Sequence, residues 1–167
     1  MQKFNPNDAT SLRDSLLTVA SNNWKMDEKD ILENMRKIAF VESKNTLDAV
    51  QMLDDGSKGE GRGLYQYEVG KSKGAHTGIN RLINMFDNIP TFLDGIIDKN
   101  YDISGLSKEA QQSIFLADKL KDKTASFKGI DSNEKLAREW ADEHLATTED
   151  KKDERIKFFL NEMNVFK

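Results

Sequence analysis

The stretch "IAFVESKN", Ile38 to Asn45, holds a carboxylate where a helix face calls for an apolar side chain. Ile31, Leu32, Met35, Ile38 and Ala39 recur with the i, i+3/i+4, i+7 spacing of a core-facing helix, and Glu42 continues the stripe. A carboxylate there loses hydration, so it must be paired, exposed where the helix ends, or kept protonated by a raised pKa. In the third case it is a proton donor. A carboxylic acid held in a partly apolar pocket titrates near neutrality and can protonate a leaving oxygen. Ser43, next to it, either orients that acid or simply ends the helix.

A second stretch, "GRGLYQYE", runs from Gly61 to Glu68. Gly61 and Gly63 serve turn geometry or let a backbone approach a ligand closely. Gln66 carries both an amide donor and an acceptor, and Tyr65 and Tyr67 present rings that either pack or lie against sugar faces. Trp140 and His144, four residues apart, share a helical face with Leu136 and Ala137. They are read as a core tryptophan with a hydrogen-bonded histidine, or as a sugar-binding subsite.

The elements that must position these groups are mostly helical. A first helix is expected from Asp8 to about Asn22, with Leu12, Leu16, Val19 and Ala20 inward and Asn7 or Asp8 as its cap. Asp27 is placed to cap the Glu42 helix. From Asn45 to Lys73 the helical period fails: "DDGSKGEGRG" packs four glycines and two aspartates into ten residues, and "LYQYEV" alternates like a short strand. A third helix is expected near His76 and Thr77, carrying Ile79, Leu82, Ile83 and Phe86 and stopping before Pro90. A fourth runs through Phe92, Leu93, Ile96 and Ile97, and a fifth starts after Ser107, its N-cap. "DKLKDKTASFKG" reads as a solvated turn. Two helices close the chain, one through Leu136, Trp140 and His144, the other through Ile156, Phe159, Leu160 and Met163 after Thr147 or Thr148. A long irregular loop ending in apolar and aromatic residues is expected to fold back over the end of the Glu42 helix and make a cleft with it.

Composition bounds the reading. The 167 residues, 37% hydrophobic and 32% charged, suit one globular domain over 1–167. The absence of cysteine rules out disulfides and thiolate metal sites, and two histidines do not make a histidine-rich metal centre. A net charge of −4 without a basic block argues against a dedicated nucleic-acid binder. No apolar run approaches the length of a transmembrane segment, and "MQKFNPNDAT" lacks the apolar centre of a signal peptide.

Glu-Ser at a helix end, a loop, then Gly-Leu-x-Gln resembles the lysozyme-like lytic transglycosylases. Glu42 and Ser43 match that family's catalytic pair, and Gly63, Leu64, Tyr65 and Gln66 match its Gly-Leu-Met-Gln motif with Tyr replacing Met. The separation, 66 − 42 = 24, is somewhat longer than usual, so the intervening loop carries an insertion. The stretches "LSKEAQQSIFLADKL" and "AREWADEHLATTEDKKDERIKFF" look like the C-terminal half of small lysozyme-like virion proteins of bacteriophages.

The resemblance implies a mainly α, α+β lysozyme-like domain, with the Gly-rich segment forming one side of the cleft. It implies that Glu42 protonates the bridging oxygen between N-acetylmuramic acid and N-acetylglucosamine in peptidoglycan, through an oxocarbenium-like transition state. No cofactor and no metal are needed. Ser43, Gly63, Leu64, Tyr65, Gln66, Tyr67, Glu68 and Trp140 become the substrate-binding candidates. A hydrolase adds a second carboxylate, for which Asp54, Asp55, Glu60 and Glu68 are available; a transglycosylase lets the substrate's own C6 hydroxyl attack. The implied setting is the virion, in several copies among other tail or internal proteins, acting at the host cell wall. The alternative is a catalytically inactive structural virion protein of the same fold.

Overall fold

The computed structural model describes residues 8–70, 74–86, 91–120 and 130–166. Helix α1, Ala9–Trp24, starts where the Asp8 carboxylate accepts hydrogen bonds from the amides of Thr10 (3.0 Å) and Ser11 (3.3 Å). It buries Leu12, Leu16, Ala20 and Trp24 along one stripe, joined by Ser15 and Leu17. Val19 is only half-buried.

Helix α2, Glu28–Ser43, begins after Asp27, which makes no side-chain cap bond. Glu28 and Asp30 in the first turn favour that end electrostatically instead. Its inward stripe is Ile31, Met35, Ile38 and Ala39. It stops abruptly because Lys44 and Asn45 both take left-handed backbone, at φ 54° and 59°.

The irregular stretch contains a small antiparallel sheet, of which the alternation of "LYQYEV" marks only the last strand. Strands β1 (Val50–Met52), β2 (Lys58–Arg62) and β3 (Tyr67–Glu68) lie in the order β1-β2-β3, with Val50 opposite Arg62 and Arg62 opposite Tyr67. The alternation of "LYQYEV" predicts one strand from Leu64 to Val69, but residues 63–66 form a turn. The turn forms because Gly63 (φ 75°) and Gln66 (φ 50°) both leave the extended region.

Helix α3, Gly74–Met85, starts slightly earlier than expected and buries Ala75, Gly78, Ile79 and Leu82. The expected helix through Ile96 and Ile97 is absent. A single 3-10 turn, Thr91–Leu93, gives way to turns in which Gly95, Asn100 and Tyr101 have positive φ, and Ile97 is exposed while Leu93 and Ile96 are buried. Helix α4, Lys108–Lys119, is capped by the Ser107 hydroxyl, which accepts from the amide of Ala110. Asp118 and Lys119, assigned above to a solvated turn, are its last residues, and Lys119 is 3% exposed. Residues 121–129 of that turn lie outside the described residues, as do Asn7 and Pro90.

Helix α5, Asn133–Glu139, passes directly into a π-turn, Trp140–His144, closed by the Leu145 amide donating to the Trp140 carbonyl at 2.9 Å. Helix α6, Glu149–Met163, follows Thr148 and packs Ile156 and Phe159 inward. Leu12, Met35, Ile38, Tyr65, Leu82, Phe115, Trp140 and Phe159 belong to one buried cluster, while Phe86, Phe92, Leu160 and Met163 pack on it only partly buried. The architecture is mainly helical with one small sheet. No helix among the described residues is long and apolar enough to cross a membrane.

Candidate active site

Glu42 is the next-to-last residue of α2, and its side chain is 11% exposed. The indole Nε1 of Trp140 donates to its Oε1 at 2.8 Å, and His144 Nε2 lies 3.7 Å from the same oxygen. The π-turn thus brings both aromatic residues against one carboxyl group. His144 Nε2 donates to the Tyr65 carbonyl at 2.8 Å, which assigns the hydrogen to that nitrogen. Burial, aided by the Lys119 charge, pushes the imidazole down to about 3, so it is neutral and makes no ion pair with Glu42.

Glu42 itself is pushed up to about 7. Burial is the dominant cause; the Trp140 hydrogen bond and the charges of Lys119 and Arg155 oppose it. The group is therefore a neutral acid over the lower half of the physiological range. It faces a cavity of about 420 Å³ also lined by Gln66, Tyr67, Glu68, Asp118, Lys119 and His144. Glu42 and Gln66 thus line one and the same cavity.

The other candidate residues are placed unequally. Ser43 does not orient Glu42: its hydroxyl spans the carbonyls of Ala39 and Leu64, 2.9 Å from each, and so ties the Gly63 turn to the end of α2. Gly63 is buried, and a Cβ there would sit 2.3 Å from Gln111 Oε1, the atom that accepts from the Leu64 amide at 2.8 Å. Leu64 and Tyr65 are core residues at 3% and 1% exposure, and Tyr65 stacks on Phe115 with centroids 4.3 Å apart. A bound sugar would have to displace that packing, so these two shape the turn rather than contact a ligand.

Gln66 lines the cavity, but its amide donates to the carbonyls of Gly63 (2.8 Å) and Ala49 (3.3 Å). Tyr67 is buried along the same wall and donates its hydroxyl to Asp118 Oδ2 at 2.8 Å. Glu68 is exposed and also lines the cavity. Gln66 lies in the turn and Glu68 on β3, so the two do not share a strand face. Trp140 is 3% exposed; it binds Glu42 rather than offering an open stacking face. The core reading of Trp140 and His144 describes their surroundings, and the bond to Glu42 adds what that reading lacked.

Among the carboxylates suggested as partners, Asp54, Asp55 and Glu60 are exposed on the β1–β2 hairpin and do not line this cavity. Asp118 and Glu143 do, and sequence reasoning missed both. Asp118 had been assigned to a turn, and the facing of Glu143 depends on the π-turn. A larger cavity of about 700 Å³ lies beside the start of α2. Of the acids on its rim, Glu33 is paired with Arg36 and Asp131 with Lys135, and it contains no buried acid comparable to Glu42. Among the described residues no cluster of His, Asp and Glu is arranged to hold a metal ion. Comparisons with protein-family models, with curated proteins and with solved structures each find no match to this chain.

Proposed function

We propose that the chain is a lysozyme-like, virion-associated enzyme that cleaves the β-1,4 bond from N-acetylmuramic acid to N-acetylglucosamine in peptidoglycan, with Glu42 as the general acid. The observation that carries this reading is a carboxyl group shielded from solvent and pushed up to about 7, at the wall of a cavity that Gln66 of the Gly63–Gln66 turn also lines. The Glu-Ser and Gly-Leu-Tyr-Gln elements that resemble lytic transglycosylases meet at this place, joined by the bond from Ser43 to the Leu64 carbonyl.

In the proposed step Glu42 gives its proton to the glycosidic oxygen as the bond from C1 of the muramyl sugar breaks, releasing the N-acetylglucosamine hydroxyl. The muramyl C6 hydroxyl then attacks C1, and its proton returns to the Glu42 carboxylate. That route yields a 1,6-anhydro end and needs no second acid. It is favoured because Asp118, the half-buried carboxylate nearby, is already held by the Tyr67 hydroxyl and by Lys119 at 3.5 Å. Attack by water, with Glu68 or Glu143 placing it, would leave a reducing end instead. The biological setting proposed is local opening of the cell wall during phage infection, with the domain delivered among other virion proteins at high local concentration.

Glu42→Gln keeps the shape and a hydrogen-bonding amide but cannot supply the proton. Clearing of purified cell walls should fall by at least about 10²–10⁴, and wild-type activity should decline above pH 7 as the acid ionises. Mass spectrometry of the products distinguishes anhydro from reducing ends. Wild-type protein that leaves walls intact at every pH would return the chain to the inactive structural reading. Equal clearing by Glu42→Gln would remove Glu42 from the chemistry.

A further inference from the structure

Glu42 faces two cavities. Beyond the one described, a second of about 390 Å³ is lined by Glu42, Trp140, Thr148, Lys151, Arg155 and Phe158, and Leu145 borders both. The two differ in charge. The first carries Glu68, Asp118 and Glu143 against Lys119, whereas the charged side chains around the second, apart from Glu42 itself, are Lys151 and Arg155.

These two cations stand one turn apart on α6, and both are exposed. Among the described residues neither forms an ion pair. Their neighbour Lys152 is neutralised by Asp142 at 2.7 Å and Glu149 at 2.6 Å. The sole carboxyl close to Arg155 in the cavity is Glu42, which is uncharged when it is ready to donate its proton. Phe158, 46% exposed, lies 6.4 Å from the Trp140 ring at 24° between planes, giving the cavity an apolar wall as well.

We propose that this second cavity is the subsite for the peptide-bearing muramyl sugar, with Lys151 and Arg155 receiving a carboxylate of its side group and Phe158 the apolar face of the ring. The proposal rests on the peptidoglycan reading above and gives the strand a direction across Glu42. The carboxylate comes from either of two sources. In intact strands the peptide supplies it; in strands stripped by an amidase the lactyl group does, because removing the peptide frees its acid.

The test is kinetics on soluble, uncross-linked peptidoglycan strands at pH 5, where Glu42 is protonated whether or not Arg155 is charged. Lys151→Gln with Arg155→Gln should raise KM on the order of five- to tenfold, the scale of two exposed charge contacts. It should also flatten the dependence of KM on salt, which screens the wild-type pair. The charge-keeping exchange, Lys151→Arg with Arg155→Lys, should restore most of the loss. A KM rise that persists on amidase-stripped strands assigns the lactyl carboxylate; one confined to intact strands assigns the peptide. If the wild type cuts and the neutral pair keeps its KM, the subsite is overturned while the general acid stands. It is overturned too if the charge-keeping pair loses as much as the neutral one. If the wild type cuts no strands at all, the subsite falls together with the reading beneath it.

Discussion

At Glu42 burial and hydrogen bonding pull in opposite directions, and burial wins. The carboxyl titrates near 7 in the folded chain against 4.5 for an unperturbed glutamate, so the folded state holds this proton more tightly than the unfolded chain does. Below pH 4.5 both states are protonated and the site costs nothing. Between 4.5 and 7 the cost grows, and above 7 it is complete, at roughly 3 kcal/mol from the linkage between pKa and stability. His144 runs the other way: its folded value near 3 costs stability as pH falls below 6.5, but it contributes equally with and without the Glu42 carboxyl. Glu42→Gln should therefore gain on the wild type as pH rises. Urea melts at pH 4, 6 and 8 should show the difference opening by about 2–3 kcal/mol and levelling off. A difference that does not change with pH would put this carboxyl in water.

At the level of elements, what could be read from the chain was whatever repeats. The stripe Ile31, Met35, Ile38 located α2 and marked Glu42 as out of place on it, because 3.6-residue periodicity is a local property. The 3-10 turn at Thr91–Leu93 was misread as a helix because Phe92, Leu93, Ile96 and Ile97 carry the same spacing, and the left-handed backbone at Gly95 overrides it. The π-turn could not be read at all. It inserts one residue into a helical spacing that Leu136, Trp140 and His144 satisfy without it, and it shows only in the bond from the Leu145 amide to the Trp140 carbonyl. Turn glycines fell between these cases: Gly63 was marked as a turn, but its close approach to Gln111 comes from α4, 48 residues away by 111 − 63. That approach is testable. Gly63→Ala strains a φ of 75° and pushes Gln111 off the Leu64 amide, for a loss of about 2–4 kcal/mol. Gly78→Ala on α3 sets a Cβ 2.6 Å from the Ile114 carbonyl oxygen of α4, for about 1–3 kcal/mol from overpacking. Cell-wall clearing should drop with Gly63→Ala at temperatures where the fold survives, and less with Gly78→Ala, because the Gly63 turn sets Gln66 in the wall of the Glu42 cavity, whereas Gly78 lies outside that wall. Equal effects of the two on clearing would mean that the turn does not shape the site.

Over the whole molecule, the site has no scaffold of its own. Glu42 comes from α2, its donor from the π-turn, and its opposing wall from the sheet turn and the end of α4; each buries side chains in the same hydrophobic cluster. The two tryptophans sit on different elements of that cluster. Trp24 closes α1, while Trp140 contacts Glu42 and packs on Phe159 of α6 with ring centroids 5.3 Å apart. Trp24→Phe leaves a fluorophore at the site alone, and Trp140→Phe leaves one in α1 alone. If the core is continuous, each variant should unfold in urea with its fluorescence midpoint coincident with the loss of its own helical circular dichroism. Trp140→Phe removes the donor to the Glu42 carboxyl, a bond of about 0.5–1.5 kcal/mol, so its midpoint should fall further below that of the wild type above pH 7, where the carboxylate is charged, than at pH 5. A fluorescence transition of Trp140 that precedes the loss of helix would show that the Glu42 region opens separately from α1. The site would then be a locally weak unit joined to a stable body, rather than part of one cooperative fold.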